Sequence, residues 1–209
     1  MLAAAMDLAD RDGLQSVTMR GLASELGVEA MSLYYHLPGK DALLDGLVET
    51  VVTEVAVVIA ELPPADSWRA EVRARCLTAR TVMLRHPWAP ALIGSRTGIP
   101  PAVYGHFEAI LGAMVEGGLS YHLAHRGLHA LGSMALGFVQ ELFSPAEDAD
   151  ADMAEEELAQ MAEALPHITA MVASEIHQHD GDVLGWCDSQ AEFEFTLDLL
   201  LDGLARQAG

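Results

Sequence analysis

Cysteine is scarce: Cys76 and Cys187 are the two in 209 residues, far apart and without a CxxC neighbour. That argues against a disulfide framework and against a thiolate zinc site. Long apolar runs are missing too. None reaches the about 18 residues needed to span a bilayer, and the longest candidate, 51–60, is interrupted by Thr53 and Glu54. The opening residues have no basic stretch and meet Asp7 early, a poor secretory signal. The expected location is cytoplasmic, with no membrane contact. Also lacking are GxSxG, a P-loop, HExxH and a GxGxxG after a strand. No enzyme and no cofactor are expected. Positive charge is the last shortage, with 11 basic residues against 31 acidic ones and a formal net charge of −20. Nucleic-acid binders usually carry a basic footprint, so composition alone disfavours DNA as a partner.

What is present reads as helix. Apolar residues make up 51% of the chain, enough for a sizeable core. Leu2, Ala5, Leu8 and Ala9 recur at helical spacing, and Gly13 is placed to take a left-handed C-cap. Thr18 is a good N-cap for the next segment, with Val17 able to pack on Leu22 as a hydrophobic staple. That segment stops at Leu26-Gly27, and a short third helix is predicted over about 29–35, closed by Pro38-Gly39. From Lys40 a wide apolar stripe runs to Pro63-Pro64. Further helices are predicted at about 66–86, 101–117, 121–144, 153–179 and 189–207, with a short turn near 88–95. No NG or DG hairpin separates alternating apolar runs, so no strand is expected. The acidic stretch 147–157 reads as a solvated loop. Ser189-Gln190-Ala191-Glu192 is a capping box for a last helix that is apolar on more than one face. Such a helix needs cover on several sides, and a second copy of the chain is the economical cover.

Residues 18–41 carry the functional signal. Two short helices around a glycine turn match a helix-turn-helix, whose second helix enters the major groove. Leu22, Leu26, Val28 and Leu33 would form its small core, leaving Ala30, Met31, Ser32, Tyr34, Tyr35 and His36 outward. Phenol and imidazole groups in a row suit phosphate and sugar contacts. Lys40 sits in the first turn of the long helix, where the helix dipole disfavours a cation unless an anion binds there.

The series Thr18-x-Arg20-x-Leu22-Ala23-x-x-Leu26-Gly27-Val28, then Leu33-Tyr34-Tyr35-His36-x-x-x-Lys40-x-x-Leu43-Leu44, resembles the DNA-binding domain of the TetR (tetracycline repressor) family over about residues 2–48. His86-Pro87-Trp88, Gly137-Phe138-Val139-x-Glu141 and the 193–204 segment resemble the regulatory domain of its tetracycline-repressor branch. The resemblance implies an all-α fold with a three-helix DNA-binding domain, 1–48, and an effector-binding, dimerising helical domain, 49–209. It implies a homodimeric, ligand-responsive repressor that binds a double-stranded DNA operator and is released by a small, largely apolar effector. Arg20, Ala30, Met31 and Ser32 would face bases, with Arg20 reading guanine. Thr18, Tyr34, Tyr35, His36 and Lys40 would mainly hold phosphates. Two departures stand out. Residues 1–50 hold three basic and eight acidic residues, and the basic stretch usual before helix 1 is not seen. A small-molecule-binding helical dimer with weak or lost DNA binding is therefore the alternative.

In the regulatory half the resemblance places an effector pocket near Trp88, Tyr104, Phe107, Met114, His129, Met134, Phe138 and Glu141. The helices 121–144 and 189–207 are the candidates for a four-helix-bundle dimer contact through Leu128, Gly132, Ala135, Leu197, Leu200, Leu201 and Leu204, where the small residues Gly127, Gly132, Ala135 and Gly137 would permit close approach. His122, His125 and His129 share one helix face. Adjacent pairs could chelate a transition metal, but no carboxylate or thiolate is placed to complete the shell, so exposed histidines and no metal site are expected.

Overall fold

The computed structural model describes residues 1–138, 163–176 and 189–208, which form helices and turns and no strand. The helices are α1 (Leu2–Asp12), α2 (Met19–Leu26), α3 (Ala30–Leu33), α4 (Lys40–Ala60), α5 (Trp68–Arg85), α6 (Ala89–Ser95), α7 (Pro101–Glu116), α8 (Tyr121–Gly137), α9 (Pro166–Ile176) and α10 (Ser189–Ala208). None of them is long and apolar enough to cross a membrane. The all-helical class expected from the sequence is what the chain adopts.

Local chemistry sets the boundaries. The Thr18 hydroxyl accepts from the Gly21 amide at 2.9 Å, satisfying one of the unpaired donors of α2. Gly27 closes α2 in the left-handed region, φ 66° and ψ 32°. Ser67 and Ser120 cap α5 and α8 in the way Thr18 caps α2. Pro90 and Pro101 lie in the first turns of α6 and α7, where a missing amide costs nothing.

Three local expectations are corrected. Gly13 has φ 79° but ψ 161°, outside the left-handed helical region; the chain turns extended there and enters a 3-10 turn, Leu14–Ser16. The third helix is a single turn, Ala30–Leu33, continued by hydrogen-bonded turns through His36. Leu26 and Val28 are exposed, at 37% and 45%, whereas Leu22 and Leu33 are buried as expected. Leu26 is the last residue of α2, and the left-handed bend at Gly27 carries Val28 outward.

The chain separates into two compact units, 1–139 with 194–209, and 140–193. In the first, the interior is continuous from α1 and α2 through α4 into α5, α6 and α7: Leu8, Val17, Leu22, Leu43, Leu47, Val51, Val82, Trp88, Leu92 and Val103 form one cluster. Leu22, Leu43 and Leu47 are completely covered, each worth roughly 1.5–3 kcal/mol of burial. Val17 and Leu22, the staple pair, both have zero exposure. In the second unit α9 leaves Ile168 and Met171 exposed. The acidic stretch 147–157, Glu141 and Cys187 lie outside the described residues.

Candidate functional site

α2 and α3 pack against each other, and α1 packs on both α2 and α4. This scaffold buries Leu33, half-buries Ala30 and leaves Met31, Ser32 and the Tyr34–His36 turn to solvent. Tyr35 is 91% exposed and Met31 73%. Ser32, His36, Arg20 and Lys40 are exposed, Tyr34 is about half exposed, and Ala30 and Thr18 are half-buried. Large side chains held outward on a single helical turn give nothing to the core. They form a protruding surface with aromatic, hydroxyl, imidazole and cationic groups, the set that contacts phosphates and base edges. Thr18 spends one lone pair on its cap. Ser32 donates its hydroxyl to the Glu29 carbonyl at 2.7 Å, which orients the oxygen but leaves it able to accept.

The structure accounts for much of the unfavourable charge of this region. Arg11 is engaged by Glu25 and Asp12, both at 3.0 Å. Arg96, just after α6, reaches Asp45 at 2.7 Å and Asp41 at 3.4 Å on the first turns of α4. Asp10 faces His86 and Trp88. Five of the eight carboxylates in residues 1–50 are thus occupied by partners. Among the described residues Arg20 and Lys40 make no ion pair, so both cations remain available to an anionic partner.

Asp10 belongs to a polar junction that ties α1 to α4, α5 and α6. His86, 9% exposed, presents Nδ1 to Asp10 at 2.8 Å and Nε2 to Glu54 at 3.1 Å. Trp88 Nε1 donates to Asp10 at 2.6 Å, and Arg85 meets Glu54 at 2.8 Å. With Arg96 on Asp45, the short helix α6 is fastened to the helix-turn-helix region at both its ends. Sequence reasoning did not find this junction. Its members lie far apart in the chain, and only the His-Pro-Trp run marked the place.

The residues proposed to line an effector pocket are distributed rather than gathered. Trp88 and Phe107 pack in the interior shared with the helix-turn-helix. Met114 and Met134 are buried, Tyr104 is 59% exposed, and His129 is at the surface beside His125. The half-buried Phe138 accepts from the fully buried Arg80 at its carbonyl, 2.8 Å away. Glu141 lies outside the described residues. An open groove of about 500 Å³ is lined by Leu2 of α1 and Gly46, Glu49, Thr50, Thr53, Glu54 and Val57 of α4, none of them among the seven described candidates.

Inside the α5–α7 region lie polar groups the sequence did not single out. Burial holds His106 below the ordinary histidine value of 6.5, and nearby Arg75 pushes in the same direction. Burial also raises the Cys76 thiol to about 12, so it is an inert thiol and not a nucleophile. The His106 shift has a stability consequence. Its folded pKa is depressed, so the unfolded chain binds the proton more tightly and stability rises with pH between the folded value and 6.5. The melting temperature is expected to fall as the pH drops below about 6.5, and His106→Gln to flatten that part of the profile; thermal unfolding across pH checks this.

Of the dimer-contact candidates, Leu197, Leu201 and Leu204 are buried within the chain itself, and Leu128, Gly132, Ala135 and Leu200 are half-buried. Gly127, expected to ease an approach between copies, instead admits neighbours from its own chain: a Cβ there would meet Leu204 at 3.0 Å and Met114 at 3.1 Å. Gly132 has open space. Phe195 and Leu199, 63% and 52% exposed, form the uncovered apolar edge of α10.

Comparison with known proteins agrees with this architecture. Residues 1–47 match the family model described as bacterial regulatory proteins, tetR family, and residues 61–208 the one described as tetracyclin repressor-like, C-terminal domain. An HTH-type transcriptional regulator of Saccharopolyspora erythraea is 36% identical over 118 residues, 56% of this chain and 49% of that protein; the chain thus spans about half the length of this relative. Tetracycline repressor protein class A from transposon 1721 of Escherichia coli is 30% identical over 99% of this chain and 89% of its own. The crystal structure of the Streptomyces coelicolor TetR family protein ActR in complex with (S)-DNPA aligns over 100% of this chain and 96% of that one, with TM-score 0.73 and 27% identity. Two adjoining matches that together take in nearly every residue, on a fold with a protruding helix-turn-helix, place the chain in the TetR family of bacterial regulatory proteins.

Proposed function

We propose that the protein is a sequence-specific transcriptional repressor that binds operator DNA as a homodimer and is released by a small, largely apolar effector. Residues 1–48 act as the DNA-reading domain and 49–209 as the effector and dimer domain, although α4 runs through the boundary. The observation that carries the reading is the exposed turn of α3 with two uncommitted cations beside it, while most of the region's carboxylates are occupied. Arg20 reads a guanine edge and Met31 offers an apolar contact, with Ala30 and Ser32 lining the approach. Thr18, Tyr34, Tyr35, His36 and Lys40 hold phosphates.

Few cations mean few phosphate contacts, so one copy binds weakly and the salt dependence is shallow. Affinity then depends on two copies reading half-sites about 34–36 Å apart. The dimer contact uses Leu128, Gly132, Ala135 and Leu200, extended by Phe195 and Leu199 and backed from within by Leu197, Leu201 and Leu204. The effector is held by residues drawn from Trp88, Tyr104, Phe107, Met114, His129, Met134 and Phe138, with His106 as a further polar anchor from α7. That ActR is seen with (S)-DNPA supports a small-molecule effector here. Effector binding favours a state in which α4 swings, with the His86 and Arg96 junctions passing the movement from α6 to the reading domain.

The scarcity of cations favours one other reading, an effector-binding dimer with lost DNA affinity. A gel shift of the full-length protein on DNA flanking its own gene, at low salt, separates the two. A shift that a scrambled fragment fails to compete supports the repressor. Equal competition by the scrambled fragment, or no shift, supports the other.

A further inference from the structure

Two of the three histidines on α8 converge. The Nε2 atoms of His125 and His129 lie 3.2 Å apart, with ring planes at 79° and centroids separated by 4.7 Å. Both side chains are exposed, and each has the other as its one polar side-chain contact among the described residues. The spacing of four residues puts them one above the other on the helix, but nothing in that spacing forces the two nitrogens to point at the same place.

The ring positions show whether the two imidazoles meet end to end or converge on a point to one side of the N···N line. In a straight N–H···N hydrogen bond with each ring in line behind its nitrogen, the centroids would sit about 5.5 Å apart at this separation. Two rings aimed at one ion about 2.05 Å from each nitrogen would have centroids about 5.0 Å apart. The observed 4.7 Å is shorter than either, so the rings lean to one side of the N···N line in an edge-to-face contact, as convergence on one ion requires and an end-to-end hydrogen bond does not. An ion at that distance from both nitrogens subtends an angle of about 100°, between the octahedral and tetrahedral values. Among the described residues no group of three His, Cys, Asp or Glu side chains is placed to hold a metal, so the remaining positions would have to be taken by water.

We propose that His125 and His129 form a two-histidine chelating site for a divalent transition ion of the zinc, nickel or copper class, on the exposed face of α8. Imidazole suits these ions, and the Nε2 atom of each ring must be free of its proton to bind, so acid weakens the site. This departs from the expectation that the α8 histidines are simply solvated. The site stands apart from the reading surface of α3. It flanks Leu128 and Gly132, so a bound ion would clamp one turn of α8 beside the proposed dimer contact. His122, on the same helix, takes no part in the pair.

Calorimetric titration of the untagged full-length protein with Ni²⁺ near neutral pH tests this. One ion per chain is expected, with micromolar affinity. His125→Ala and His129→Ala should each weaken binding at least tenfold, and His122→Ala should leave it unchanged. Electron paramagnetic resonance of the Cu²⁺-loaded protein should count two imidazole nitrogens in the parent and one in either variant. Circular dichroism confirms that the variants keep their helices, as exposed positions should. Equal binding by the parent and both variants would overturn the site, as would an equal loss in His122→Ala.

Discussion

Gly21→Ala is expected to destabilise the protein by about 2–4 kcal/mol, a fall of roughly 5–15 °C in melting temperature for a chain of this size. Alanine ordinarily stabilises a helix interior by up to about 1 kcal/mol over glycine, so the sign here is decided by contact. A Cβ at residue 21 would lie 2.6 Å from the Ser16 carbonyl oxygen and 3.1 Å from Thr18 Oγ1. The first is backbone and cannot rotate away, so α2 must lift from the 3-10 turn. Lifting it also stretches the Thr18 cap, which ends on the Gly21 amide. α3 packs on α2, so the same change displaces the exposed turn, and DNA affinity should fall with stability. Gly105→Ala on α7 is the control. A Cβ there has open space, and the same chemical change should be neutral or stabilising by up to about 1 kcal/mol. Thermal unfolding of the two variants side by side reads the opposite signs.

His86→Ala should cost about 2 kcal/mol. Truncating one member of a mostly buried polar cluster leaves its partners short of contacts, and both Asp10 and Glu54 face the ring. Their side chains keep about a third of their exposure, 33% and 31%, so water takes up part of the loss and the figure stays below that for a sealed pair. The damage should be local. Asp10 retains the Trp88 indole and Glu54 retains Arg85, so the body stays folded while α1 loosens from α6. Hydrogen exchange should show α1 amides opening faster in His86→Ala, with α7 and α8 unchanged. Asp10→Ala and His86→Ala combined should cost clearly less than the sum of the two single changes, because both break one junction. Additive losses would show that the two groups act separately.

Helix positions were largely legible because they depend on neighbours in sequence. Thr18, Gly27 and Pro63-Pro64 state their roles locally, and the staple of Val17 and Leu22 was readable from spacing alone. The misses were places where backbone direction or a distant segment decided the outcome. Val28 has core chemistry but follows a left-handed glycine that turns it outward. Gly127 resembles a residue kept small for a partner, yet its space is filled by Leu204 and Met114 of its own chain. The net acidity of residues 1–50 looked hostile to DNA because Arg96 and His86, which engage its carboxylates, lie outside that segment. The outward aim of Tyr35 and Met31 could be anticipated from the short helix, since little of a single turn can be buried.

On the proposed function, the exposed turn of α3, with Arg20 and Lys40, reads DNA. Fluorescence anisotropy with an operator duplex and a scrambled duplex, on the parent protein, Arg20→Ala and Lys40→Ala, tests it most directly. Arg20→Ala should lose about 1–3 kcal/mol on the operator and little on the scrambled duplex, collapsing the preference. Lys40→Ala should weaken both duplexes by the same factor and reduce the salt slope by about one. A parent protein with no preference, or two variants indistinguishable from it on both duplexes, would contradict the account.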